Sequence, residues 1–171
     1  GYSVEVQGKR FYLVQVAERG IAWMRIRVTG EPGHSAKPCH NTAMEKAAEI
    51  MAKLTNARLP HHVSEPCTRF LETMAKSVNP IEAAVLRGLT KPKLGKFLLH
   101  TLIPAGQERV TMQANLSNTV NPTILRAGSK INVVPSEVII DVDGRTVPTS
   151  SAAELVEEVR ELIGPEPAIE L

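Results

Sequence analysis

The chain has 171 residues, 43% hydrophobic and 22% charged, ordinary values for one globular domain or one domain with an insertion. Acids and bases are interspersed and the net charge is only +2, which argues against the concentrated basic face of a nucleic-acid binder. No run approaches the roughly 20 apolar residues of a membrane span.

Neither nucleic acid nor a membrane is therefore expected as a partner. Cys39 and Cys67 are far apart and form neither a CxxC pair nor a disulfide framework, so reduced thiols and a cytoplasmic setting are the expectation. The chain opens on Gly1-Tyr2 in strand-like sequence and closes on Ala168-Ile169-Glu170-Leu171, which reads as a strand stopped mid-course. Both ends are expected to be cuts from a longer protein.

Residues 1–29 are β-rich, with strands expected at Phe11–Val16 and Ile21–Val28 around a turn at Glu18-Arg19-Gly20. In the second run Met24, Ile26 and Val28 alternate with Trp23, Arg25 and Arg27, as in a sheet covered on one side only. Thr42 and Glu45 form a capping box for a helix over 42–54 with Met44, Ala47, Ala48 and Met51 as its apolar stripe. Residues 60–108 contain five prolines and short helical patterns at Cys67–Lys76 and Ile81–Leu89. No stretch there has the periodicity to close its own core, so a helical insertion is expected and not a second domain. The basic run Lys91-Pro92-Lys93-Leu94-Gly95-Lys96 reads as a solvated loop or as a phosphate contact.

Strand signals return over 110–127 and 131–147. Val138, Ile140 and Val142 share one face, and Glu137, Asp141, Asp143 and Arg145 the other. A second capping box, Ser151 with Glu154, opens a helix striped by Leu155, Val156, Val159, Leu162 and Ile163 and stopped at Gly164-Pro165. A final strand covers 168–171. Without the insertion, residues 21–171 read β-α-β-β-α-β. This is the α+β, ferredoxin-like pattern: a four-stranded antiparallel sheet with two helices on one face, here with a helical insertion at about 60–108. Residues 1–20 would be a strand segment at a junction with another domain.

Two segments carry the chemistry. Gly30-Glu31-Pro32-Gly33-His34-Ser35-Ala36-Lys37-Pro38 holds a histidine in a glycine- and proline-punctuated loop between a strand and a helix. By itself it is a surface turn or a site for one presented side chain. Later, Asn132 stands at the entrance of Ile131-Asn132-Val133-Val134-Pro135-Ser136-Glu137, where Pro135 interrupts the ladder. Arg145, in Asp143-Gly144-Arg145, ends a strand on the open face. It is either a bidentate carboxylate binder or a surface arginine paired with Asp143 or Asp141. The spacings of His34, His40, His61, His62 and Cys39 match no usual metal-ligand motif.

Gly-x-Pro-Gly-His-Ser, then Ile-Asn-Val-Val-Pro-Ser-Glu with Asp-Gly-Arg, and the run Ser117–Gly128 resemble the lid, or dimerisation, domain of the M20 family of metallopeptidases, from about residue 10 to the end. That family includes acetylornithine deacetylase, succinyl-diaminopimelate desuccinylase, aminoacylase-1 and carboxypeptidase G2. The resemblance implies a parent hydrolase whose separate catalytic domain holds zinc and cleaves an amide bond in a small, carboxylate-bearing substrate. It implies that His34 stabilises the oxyanion, commonly in the partner subunit's active site, that Asn132 hydrogen-bonds the substrate, and that Arg145 holds its carboxylate. Asn118 is a weaker candidate for the same pocket. It implies no metal ligand in this chain, a homodimer formed through an edge strand, and no activity for the chain alone. Ser35 stands where many members carry a further glycine. A purely structural dimerisation module and a free-standing ferredoxin-like ligand-binding domain are the alternatives.

Overall fold

The computed structural model describes residues 2–6 and 8–171; Gly1 and Gln7, part of the strand-like opening, lie outside them. The described chain divides into two compact units. One joins Ile21–Leu59, Thr119–Thr146 and Ser151–Leu171; the other joins residues up to Gly20, Pro60–Asn118 and Val147–Ser150.

The first unit is built on strand β3 (Gly20–Thr29), helix α1 (Ala43–Thr55), β5 (Thr119–Ala127), β7 (Glu137–Thr146), α6 (Ala152–Ile163) and β8 (Ala168–Glu170). The sheet order is β5-β7-β3-β8, the ferredoxin-like order with the two hairpin-linked strands on one side. β5 pairs antiparallel with β7, and β3 with β8. Across β3 and β7, Trp23 bonds Asp143, Arg25 bonds Asp141 and Arg27 bonds Glu137. Rising numbers on one strand meet falling numbers on the other, so the central pair is antiparallel too.

The alternation in β3 and β7 sorts their faces as their sequences require. Ala22, Met24, Ile26 and Val28 are buried with Val138, Ile140 and Val142, under Leu155, Val159 and Ile163 of α6. The opposite face carries the charged pairs. Asp141 lies between Arg25 and Arg126. Both capping boxes form, at Thr42 with Glu45 and at Ser151 with Glu154.

The stripe of α1 differs from the expected one. Ala43, Ala47, Ile50 and Leu54 are buried, whereas Met44 is 47% exposed and Ala48 is exposed. A stripe through 43, 47, 50 and 54 places the larger Ile50 and Leu54 inside. The Met44 stripe would have left Ile50 outside and Leu54 at its margin.

In the second unit, β1 (Tyr2–Val6) pairs antiparallel with β2 (Lys9–Leu13). Four helices follow: α2 (Glu65–Ala75), α3 (Pro80–Gly88), α4 (Pro92–Thr101) and α5 (Gln107–Leu116). Ser64 and Asn79 cap α2 and α3 through their side-chain oxygens, with proline in the first turn of each. Three expectations change here. The Lys91–Lys96 run is the start of α4, because Pro92 sits at a first helical position where no N–H is needed. Residues 110–116 are helix and not strand, so the helical segment runs to residue 116 and β5 begins at Thr119. The segment also closes a core of its own, from Cys67, Leu71, Leu89, Leu99 and Leu116. Each element contributes one or two of these residues, which is why no single stretch shows the core as a periodic stripe. No helix among the described residues is long and apolar enough to cross a membrane.

Candidate functional site

The histidine loop and the Asn-Val-Val-Pro segment, about a hundred residues apart in sequence, are zipped together. β4 (Gly33–His34) pairs antiparallel with β6 (Val133–Val134), with Gly33 opposite Val134 and His34 opposite Val133. The pairing extends both ways: the Ser35 N–H donates to the Asn132 carbonyl at 3.2 Å, and the Gly30 N–H to the Ser136 carbonyl at 3.0 Å. His34 and Asn132 thus stand together at one end of the unit, both exposed.

The two glycines answer to close approach. A Cβ on Gly30 would lie 2.1 Å from the Ala43 nitrogen, where α1 begins, and one on Gly33 would lie 2.6 Å from Cys39 Sγ. Beyond them the Lys37 N–H returns to the His34 carbonyl at 3.0 Å, and the Cys39 thiol lies 3.3 Å from the Lys37 carbonyl. The Ala36 N–H donates to His34 Nδ1 at 3.2 Å. A neutral imidazole has one donor and one acceptor nitrogen. With Nδ1 accepting from the backbone, the proton of the neutral ring sits on Nε2, a donor on an exposed side chain. The roles of Cys39 and Ala36 in shaping the loop are not legible in the sequence, since a contact through Sγ and a backbone N–H leaves no trace in periodicity.

Arg145 sits at the other end of β7. Asp143 grips its guanidinium, with Nε at 3.0 Å from Oδ1 and Nη2 at 3.1 Å from Oδ2, and also accepts from Trp23 Nε1 at 3.1 Å. This is the pairing the sequence allowed. The side chain stays 37% exposed. About 26 Å of strand, at about 3.3 Å per residue, separates Glu137 from Arg145, so one copy of this unit does not bring Arg145 up to His34 and Asn132. Asn118 belongs to the helical unit and is buried. Its Oδ1 accepts from the Val147 N–H at 2.9 Å and its Nδ2 donates to Ser150 Oγ at 3.0 Å, which ties down the 147–150 turn.

Among the described residues no group of three or more His, Cys, Asp or Glu side chains is placed to hold a metal ion. His34 Nδ1 is taken up by the backbone.

The peptidase dimerisation domain family of the M20 peptidases matches residues 16–169. Among curated proteins, the chain is 24% identical over 153 residues to the mouse (Mus musculus) N-fatty-acyl-amino acid synthase/hydrolase, covering 88% of this chain and 29% of the relative. It is 28% identical over 163 residues to a probable carboxypeptidase S-like protein of Dictyostelium discoideum, covering 88% of this chain and 28% of the relative. The chain thus spans less than a third of the length of either. Human carnosine dipeptidase 1 shares the fold, with a TM-score of 0.50 at 13% identity over 90% of this chain and 36% of that one. Histidine loop, Asn-Val-Val-Pro strand and ferredoxin-like sheet together identify the chain as a member of the M20 peptidase dimerisation domain family.

Proposed function

We propose that this chain is the lid and dimerisation domain of a zinc-dependent amidohydrolase or peptidase, and that it supplies polar groups to active sites whose metal ligands lie in another domain. The observation that carries the reading is the β4–β6 ladder, which fixes His34 beside Asn132 on a rigid support. In the parent, zinc would activate water and polarise the scissile carbonyl. This chain's part is electrostatic. His34 offers Nε2–H to the carbonyl oxygen as negative charge develops on it in the tetrahedral intermediate. Asn132 hydrogen-bonds the substrate, and the guanidinium of Arg145, its plane set by Asp143, holds the substrate carboxylate. Asn118 acts from within, by holding the 147–150 turn that follows the Arg145 strand.

The distance along β7 from the His34 end to Arg145 favours a site shared between two copies, Arg145 from one and His34 from the other. The outer edge of β5 suits the dimer contact: it is nine residues long with Ile124 and Leu125 half exposed, whereas the opposite edge strand, β8, has three residues. The names of the mouse and Dictyostelium relatives, an N-fatty-acyl-amino acid hydrolase and a carboxypeptidase, support a substrate whose scissile amide neighbours a free carboxylate.

The test is kinetic. In the parent protein His34→Ala lowers kcat by about 10²–10³-fold, the cost of one oxyanion donor. Arg145→Ala instead raises KM for carboxylate substrates. The chain alone, with added zinc, hydrolyses neither dipeptides nor N-acyl amino acids; zinc-dependent turnover by it would overturn the reading.

A further inference from the structure

Helix α4 of the helical unit is apolar on two sides. Gly95 and Leu99 face its core, but Leu94 and Phe97, three residues apart, are 49% and 62% exposed, and Leu102 at the C-cap is 54% exposed. Beside them α3 presents Ile81, 79% exposed, and the two helices enclose an open groove of 490 Å³ lined by Pro80, Ile81, Ala84, Val85, Leu94 and Leu98. A contiguous apolar surface of this kind marks an interaction site. The segment that carries it is more basic than the chain as a whole. Residues 80–98 hold four bases, Arg87, Lys91, Lys93 and Lys96, and one acid, Glu82, whereas the entire chain carries only +2. Arg87, Lys91 and Lys93 are exposed.

We propose that this α3–α4 face docks on an anionic lipid surface. Phe and Leu side chains would enter the headgroup–acyl boundary, and the flanking lysines, on long apolar stems, would meet the phosphate and carboxylate groups. A protein partner fits less well, because lysine is depleted in protein interfaces. A single bound acyl chain fits less well too. Small-molecule sites bury about 70–90% of their ligand, and here the Ile81 wall itself stands in water. The expectation of no membrane contact rested on the lack of a spanning segment, which a surface-lying face does not need. The proposal is independent of the hydrolase reading.

The experiment is cosedimentation of the protein with phosphatidylcholine vesicles, with and without phosphatidylserine, at low and high salt. Wild type partitions onto the phosphatidylserine vesicles and is released by salt. Lys91→Ala and Lys93→Ala each weaken partitioning about fivefold, the equivalent of about 1 kcal/mol per basic residue at an anionic surface. The pair Ile81→Ser with Phe97→Ser abolishes it; both sites are exposed, and an unchanged thermal melt shows that folding is intact. Three results would each overturn the proposal: no vesicle binding by wild type, equal binding to neutral vesicles, or self-association in lipid-free buffer that the serine pair abolishes while vesicles stay unbound.

Discussion

The Ala36 N–H points at His34 Nδ1 from 3.2 Å, so the turn that presents the imidazole also fixes where its proton resides. A donor aimed at a developing oxyanion must carry its hydrogen on the outward nitrogen, and the Gly33-His34-Ser35-Ala36 turn meets that need with backbone alone. In ¹⁵N-histidine spectra of the neutral protein, Nδ1 of His34 is expected to appear as the bare, accepting nitrogen and Nε2 as the protonated one. An Nδ1–H tautomer would remove the physical basis for the donor role, even if His34→Ala still slowed the parent enzyme.

Gly33 and Gly30 are crowded by different kinds of neighbour, and this predicts different responses to the same change. Gly33→Ala drives a methyl group to 2.6 Å from Cys39 Sγ, and Gly30→Ala drives one to 2.1 Å from the backbone nitrogen of Ala43. Either change is expected to cost about 1–3 kcal/mol, the usual penalty of overpacking. Adding Cys39→Ala relieves the first, because a side-chain atom is removed. It leaves the second untouched, because a backbone cannot be trimmed. Urea denaturation of the two glycine variants, of Cys39→Ala and of the two double variants, read against wild type as two double-mutant cycles, measures the coupling.

How much of this was legible in the sequence follows the range of the interactions. The faces of β3 and β7 and both capping boxes are local patterns with their own period, and they fold as written. The buried stripe of α1 lies about one position away from the one led by Met44, because it takes in Ile50 and Leu54 and leaves Met44 outside, while Met51 packs at its edge. In helix α5 the apolar Val110, Met112, Ala114 and Leu116 alternate with Thr111, Gln113 and Asn115, a period of two that reads as strand; the helix is anchored instead by Leu116, buried in the core of the helical unit, with Met112 packed against that core. The two-residue ladder between Gly33–His34 and Val133–Val134 is too short for any periodicity to signal, and only the fold brings its halves together.

The two thiols differ in setting and should differ in reactivity. Cys67 is buried in the helical core, and burial pushes its thiol up to about 11. Cys39 is partly exposed in the histidine loop. Because the thiolate is the reacting species, an alkylating reagent near pH 8 is expected to label Cys39 in the native protein and to reach Cys67 only after denaturation. Peptide mass mapping reads the outcome directly, and native labelling of Cys67 would show that the helical core opens readily.

The helical unit contains an acid-sensitive group in His61. Its Nδ1 is buried without a hydrogen-bond partner, and burial, with Lys96, His100 and His62 nearby, lowers its pKa from 6.5 to about 4. The folded protein thus keeps His61 neutral, while the unfolded chain takes up a proton near the ordinary histidine value. Where the unfolded state binds more protons, stability rises with pH. His61 therefore contributes its full share above about pH 6.5 and loses it progressively as the pH falls toward 4. The urea midpoint of this unit, followed by helical circular dichroism, is expected to drop across that window. His61→Gln should flatten the drop, since glutamine does not titrate. An unaltered profile in the variant would assign the acid sensitivity to other groups. Asp141 is not one of them above pH 4: Arg25 and Arg126 hold its carboxylate down to about 2, so its contribution is lost only as the pH falls below the ordinary aspartate value.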